Sequence, residues 1–167
     1  MEQISLEIFT FEVKKKERRK SESPFGSGDL FETLSNNLES TIENFNDQVN
    51  QRVVTLSELE NIPDKLEIKT DKRIITGIFE TGLYGKEEGV FDIDKMDEEP
   101  IFKIEKNHTV KKPFFFLIHI PTDKNKGFII SERVSGSGIR GLMIGIMHKF
   151  ARNIDEDYKV VIKNFND

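Results

Sequence analysis

The sequence has no cysteine, no tryptophan and only three histidines among 167 residues. Without cysteine there is no disulfide, no thiolate zinc site and no cysteine nucleophile. Three histidines leave little for a histidine-built metal centre. No apolar run approaches the ~18 residues of a membrane span, and the opening MEQISLEIF lacks the basic and apolar regions of a secretory signal. A cytoplasmic protein with no membrane partner is expected. Hydrophobic residues are also scarce, 36% of the chain against 33% charged, which fits a folded domain carrying solvated segments. At this length one domain over residues 1–167 is the simplest organisation. The chain ends just after its last strand-like stretch, so a fragment or one domain of a longer protein is expected.

What is present is unevenly placed. Residues 1–100 hold 13 Lys/Arg against 23 Asp/Glu, whereas residues 101–167 hold 12 against 7. The net charge of −5 therefore conceals an acidic first part and a basic second one. Such a split is the electrostatic footprint of polyanion contact, unless the two parts interleave in space and neutralise each other.

The hydrophobic pattern defines the elements. In ISLEIFTFEV, residues 4–13, Ile4, Leu6 and Ile8 share one side, and Phe11 and Val13 continue after a shift. This predicts a strand bulged at Thr10. KKKERRKSESPFGSGD, beginning at residue 14, has no apolar periodicity, and a mobile loop is expected at about 14–28. Phe31, Leu34, Leu38, Ile42, Phe45 and Val49 then recur at three and four, predicting a helix over about 29–50 capped by Asp29 or Ser27. A connector follows. Strand-like runs come next, LEIKT, RIITGIFETGLYG, GVFDID, IFKIEK, PFFFLIHIP and KGFIISERV, separated by short turns. PFFFLIHI is apolar on both faces and is expected to be covered on both. A second helix over about 139–152 and the strand YKVVIKNF complete the chain. The expected fold is α+β, a mostly antiparallel sheet of about six to eight strands with two main helices.

Gly136-Ser137-Gly138-Ile139-Arg140-Gly141 matches G-x-G-x-x-G. A dinucleotide fingerprint also needs an alternating β-α context and an acidic residue ending the next strand. Asn164 and Asn166 stand there instead, and a hairpin-rich region lies upstream, so no nucleotide or other cofactor is expected. The glycines suit a tight strand-to-helix turn. Gly141 and Gly145, four apart, would let the helix lie close on the sheet. The same turn can bind an anion through free N–H groups, Ser137, Arg140 and the preceding Arg133. Lys111, Lys112, Lys124 and Lys126, all near turns, extend this basic set along one expected edge of the meander.

Catalytic patterns are weak. The acidic run DIDKMDEE offers Asp92 and Asp94 as a divalent-cation pair, but reads first as a solvated turn. Ser131, His119 and Asp123 form a triad only on paper, without the turn that exposes a nucleophile. No catalytic residue is assigned.

ITGIFETGLYGKEEGVFDI and PFFFLIHIPTDKNKGFIISERVSGSGIRG resemble an uncharacterised bacterial protein family associated with genomic islands and phage-defence neighbourhoods. The resemblance covers about residues 73–145 and lies in the N-terminal part of longer proteins. It implies a place in a phage-defence system and carries no catalytic residue with it. The leading expectation is a non-catalytic domain binding DNA, RNA or another polyanion through Lys111, Lys112, Lys124, Lys126, Arg133, Gly136, Ser137, Gly138 and Arg140. The alternatives are a protein-interaction or oligomerisation module, using a sheet edge or the first helix, and a small metal-dependent nuclease.

Overall fold

The computed structural model describes residues 3–15, 29–60, 64–122 and 125–165. The loop expected at about 14–28 lies outside them from residue 16 onward, as do Asp123 and Lys124. Lys14 and Lys15 end a strand instead.

In chain order the described elements are β1 (Ile4–Lys15), α1 (Leu30–Glu43), β2 (Arg52–Leu56), β3 (Leu66–Lys69), β4 (Ile74–Leu83), β5 (Glu88–Val90), β6 (Phe102–Ile104), β7 (Lys112–His119), β8 (Lys126–Val134), β9 (Ser137–Gly138), α2 (Arg140–Ile154) and β10 (Tyr158–Asn164). The main sheet has eight strands, in the order β10-β1-β8-β7-β4-β2, with β3 also on β4 and β9 also on β8. Strands β5 and β6 form a separate two-stranded sheet among the described residues. Every pairing is antiparallel. The α+β architecture follows from strands joined by short turns, with β1 inserted between β8 and β10 rather than next to its sequence neighbours.

Both helices lie on one face of the sheet. In α2, Leu142, Met143, Ile146, Met147 and Phe150 are buried together with the preceding Ile139. These are the six residues that the helical spacing selects. In α1, Leu30, Phe31, Leu34, Leu38 and Ile42 are buried, so its apolar stripe is consumed by the core and cannot pair two chains. This helix is shorter than the apolar spacing predicts. The Asn44 side chain takes the carbonyl of Ser40, and the Phe45 N–H turns back to Ile42. Asparagine and aspartate in NFNDQVN compete in this way with the helical ladder, and Val49 is left 93% exposed. The β-branched run RVVTL after it forms β2, where a connector is expected.

The inward face of the sheet carries Phe9, Phe11, Val13, Ile75, Phe79, Phe114, Phe116, Ile118 and Ile129, all buried. Phe116 stacks on Phe79 with ring centroids 4.5 Å apart. Gly77 makes room for it, since a β-carbon there would lie 2.8 Å from the Phe116 ring. Each such aromatic contributes ~1.5–3 kcal/mol by leaving water.

Two expectations are corrected here. Strand β1 has no bulge at Thr10: its register to β8 runs unbroken from Ile4 to Glu12. Phe9, Phe11 and Val13 therefore face the helices, and Ile4, Leu6 and Ile8 face away, exposed. Among the described residues strand β7 is likewise covered on one face only, because both helices are spent on the other, and Phe115 is 39% exposed. An apolar outer face remains, on which Ile130 stands opposite Ile8 and Leu117.

No helix among the described residues is long and apolar enough to cross a membrane.

Candidate functional site

The glycine-rich stretch is a hairpin before it is a helix start. Val134 pairs with Ser137, and the two residues between them, Ser135 and Gly136, have φ of +48° and +83°. Positive φ at both central positions marks a type I′ turn, whose twist matches that of the flanking strands. Strand β9 then runs directly into α2 through Ile139, which makes no side-chain cap.

The hairpin spends its polar groups locally. Ser135 donates its N–H to Gln3, Arg133 donates to the Gly136 carbonyl at 3.1 Å, and Arg52 reaches the Gly138 carbonyl at 3.5 Å. The turn thus presents carbonyls to two arginines. Arg140 is also engaged, paired with Glu7 at 3.3 Å, bonded to Asn164 and set over the Phe9 ring. Gly145 packs against Phe45 rather than the sheet, and Gly141 has open space around it.

These two environments predict opposite stability effects in urea denaturation. Gly136→Ala forces a β-carbon into the left-handed region and is expected to cost about 1 kcal/mol. Gly141→Ala meets no neighbour and is expected to stabilise by up to about 1 kcal/mol through helix propensity. A neutral Gly136→Ala would show that the turn relaxes to another type.

Beside the hairpin, on the helix side of the sheet, lies a cleft of about 280 Å³. Its walls are Arg52 from the start of β2, Thr81 and Tyr84 at the end of β4, Lys112 and Phe114 from β7, and Ser137 from β9. Lys86, Glu88, Ile104 and His108 close it from the segment between β4 and β7. That segment is held in place at two points. The Gly85 N–H donates to Lys106, and Thr109 donates to the Leu83 carbonyl while the chain at Val110 presses on Gly82. A β-carbon at Gly82 would lie 2.3 Å from the Val110 carbonyl, so only glycine admits this approach.

The cleft is electropositive. Arg52, Lys86 and Lys112 meet there with one carboxylate, Glu88. None of the three cations has an ion pair among the described residues. The Arg52 Nε is buried without a hydrogen-bond partner, and its one bond, to Gly138, is long and goes to a neutral group. A half-buried guanidinium in this state is favourably completed by an anion. His108 accepts the Glu105 N–H through Nδ1, so its neutral ring carries the proton on Nε2. Ser137 and Tyr84 add hydroxyl donors to the wall.

Of the residues anticipated from sequence, Lys112 and Ser137 reach this cleft, and Gly138 borders it through Arg52. Lys111 turns to the outer face, paired with Glu80 at 3.2 Å. Lys126 stands opposite Glu12 at the far end of β8, so the lysines do not line one edge: an antiparallel hairpin puts Lys112 and Lys126 at opposite ends of strands ~25 Å long. Arg133 and Arg140 serve the hairpin and the helix start, and Lys124 lies outside the described residues. Asp92 accepts the Asp94 N–H in a local turn, and no three His, Asp or Glu among the described residues are placed to hold a metal. Ser131 and His119 point to opposite faces of the sheet, which removes the paper triad. Arg52 and Lys86 belong to the acidic part of the chain, where composition conceals them. Their only sequence signal is position, each standing at the edge of a β-run.

Fold and cleft together define an α+β sheet domain with a basic recess at the end of its helix layer. No protein family, curated protein or solved structure matches the chain.

Proposed function

We propose that this is a non-catalytic binding domain for nucleic acid or another phosphate-bearing polyanion, with one phosphate seated in the cleft beside the glycine hairpin. The observation that supports it is the convergence of Arg52, Lys86 and Lys112 on one recess with Glu88 alone opposing them. Ser137, Tyr84 and His108 supply the neutral donors that a phosphate's remaining oxygens need. The recess holds a single phosphate with part of its sugar and excludes a duplex, which favours a strand end or an unpaired segment. The resemblance to a family of phage-defence neighbourhoods suits a domain that contacts nucleic acid in such a system.

Fluorescence anisotropy with a 5′-phosphorylated single-stranded oligonucleotide, repeated over a range of salt, tests this reading. Binding is expected to weaken steadily as salt rises, because each neutralised phosphate releases counterions. Arg52→Glu with Lys112→Glu should weaken it at least about tenfold at low salt, a loss of ~1.4 kcal/mol. Lys126→Glu, at the other end of the strands, should leave it within about twofold. Absence of binding at low salt, or binding indifferent to the double reversal, refutes the cleft as the site.

A further inference from the structure

Two apolar surfaces of this chain have no partner among the described residues. One is the outer face of the main sheet, where Leu6 is 63% exposed beside Ile4 and Ile8, with Phe115 on the far side of Glu132. The other is the arm formed by β5, β6 and the loop between them, where Ile93 is 85% exposed and Phe91, Met96, Ile101 and Phe102 also face solvent. Single exposed apolar side chains are ordinary, but contiguous patches of this kind mark docking surfaces.

We infer that each surface covers the other in a second copy of the chain, the arm of one protomer lying across the outer sheet face of its partner. Charge selects this occupant. The arm's loop carries Asp92, Asp94, Asp97, Glu98 and Glu99 against Lys95 alone. At the β8–β10 end of the outer face is a recess of about 320 Å³ lined by Thr10, Phe128 and Val161, with Lys126 and Lys163 beside it. Glu12, its one carboxylate, is already paired with Lys14 at 3.1 Å. An apolar tip bearing excess acid thus meets an apolar recess bearing excess base, the complementarity that fixes register between partners.

The arm cannot fold onto its own sheet in this way. Its base lines the cleft on the helix side, with Arg52 and Phe114, so its own outer face lies behind it. A two-fold dimer makes the contact twice, once from each arm. The cleft plays no part in the contact, so the dimer and the phosphate site stand or fall separately.

Sedimentation equilibrium of the full chain over a dilution series, combined with mixing of two variants, tests the exchange. The arm variant is Ile93→Asp with Met96→Asp, and the face variant is Leu6→Asp with Lys126→Glu. Wild type is expected to be dimeric and each variant alone monomeric. An equimolar mixture should form a dimer that neither variant forms alone. It should be weaker than the wild-type dimer because only one of its two contacts, the arm of the face variant on the face of the arm variant, is intact. That dimer also shows that both variants fold. A monomeric wild type at every concentration, a dimer untouched by either variant, or a mixture that stays monomeric would each overturn the proposal.

Discussion

Replacing Phe116 with alanine is expected to lower the unfolding free energy by about 3–5 kcal/mol, the largest stability effect of any single substitution considered. For a domain whose whole stability is of order 5–15 kcal/mol, that is about a fifth of it or more. Phe116 sits at the middle of β7, fully buried, between α-helical cover and the two strands that flank it. Its ring stacks on Phe79 and fills the space that Gly77 leaves by lacking a side chain. Truncation removes the ring from both contacts, and the backbone of a central strand cannot move in to close the gap. Gly77→Ala supplies the second half of the test. Alone it drives a methyl against the Phe116 ring and should destabilise. In the Phe116→Ala background the same methyl enters the cavity, so the two losses should fall well short of adding. Urea denaturation of the four proteins measures this coupling. Full additivity would mean that Leu66, whose Cδ2 lies 2.9 Å from the same β-carbon position, sets Gly77 rather than the ring.

Legibility in the sequence follows burial. The residues of α2 are read correctly because one face of a helix packs on one layer, and helical spacing reports that directly. Strand β1 is misread for the complementary reason. Both of its faces are apolar, and alternation cannot say which set meets the helices when nothing covers the other. The same ambiguity makes PFFFLIHI look like a strand covered twice, although no other described element covers its outward residues. The end of α1 is lost because Asn44 competes with the helix through a side-chain bond that periodicity does not contain. The cleft is the least legible part. Arg52, Lys86 and Lys112 come from β2, the turn between β4 and β5, and β7, and the chain between them is acidic on average. Composition locates basic charge in the last third, whereas the sheet order draws one of its lysines and two cations of the acidic part into the same recess. Hairpin geometry also reverses the reading of the glycine stretch. The I′ turn gives the Gly136 carbonyl to Arg133, and strand β9 after it gives the Gly138 carbonyl to Arg52 at the cleft wall.

Replacing Arg73 with alanine is expected to cost about 2–3 kcal/mol and to weaken the pH dependence of stability in the acid range. Arg73 ends the turn between β3 and β4, with φ of +54°. Its Nε donates to the Ile120 carbonyl at 2.8 Å, its NH1 to Asp29 at 2.9 Å, and its guanidinium lies over the Phe31 ring. One side chain thus ties the sheet to the first turn of α1. Asp29 divides its carboxylate between two duties, one oxygen for Arg73 and the other for the Glu32 N–H as the helix cap. The Arg73 hydrogen bond, followed by the bond from the Glu32 backbone, holds the Asp29 carboxyl below its ordinary value. A carboxyl whose folded value is depressed favours folding fully above its unfolded value, near pH 4, and that contribution disappears as pH falls through the lower folded value. Wild type should therefore lose stability over that acid interval more steeply than Arg73→Ala. Because Asp29 is more than a third exposed, solvent keeps this part of the effect small beside the loss of the Ile120 bond and the ring contact. Arg73→Gly separates backbone from side chain. It removes the same three contacts but relieves the left-handed conformation, so it should be less damaging than alanine by up to about 1 kcal/mol. Urea denaturation of the three proteins, repeated from neutral pH into the acid range, reads both effects. If glycine and alanine proved equally harmful at every pH, the turn would have to relax out of the left-handed region once the guanidinium no longer holds it. If alanine left the acid slope unchanged, the cap from Glu32 alone would account for the lowered carboxyl.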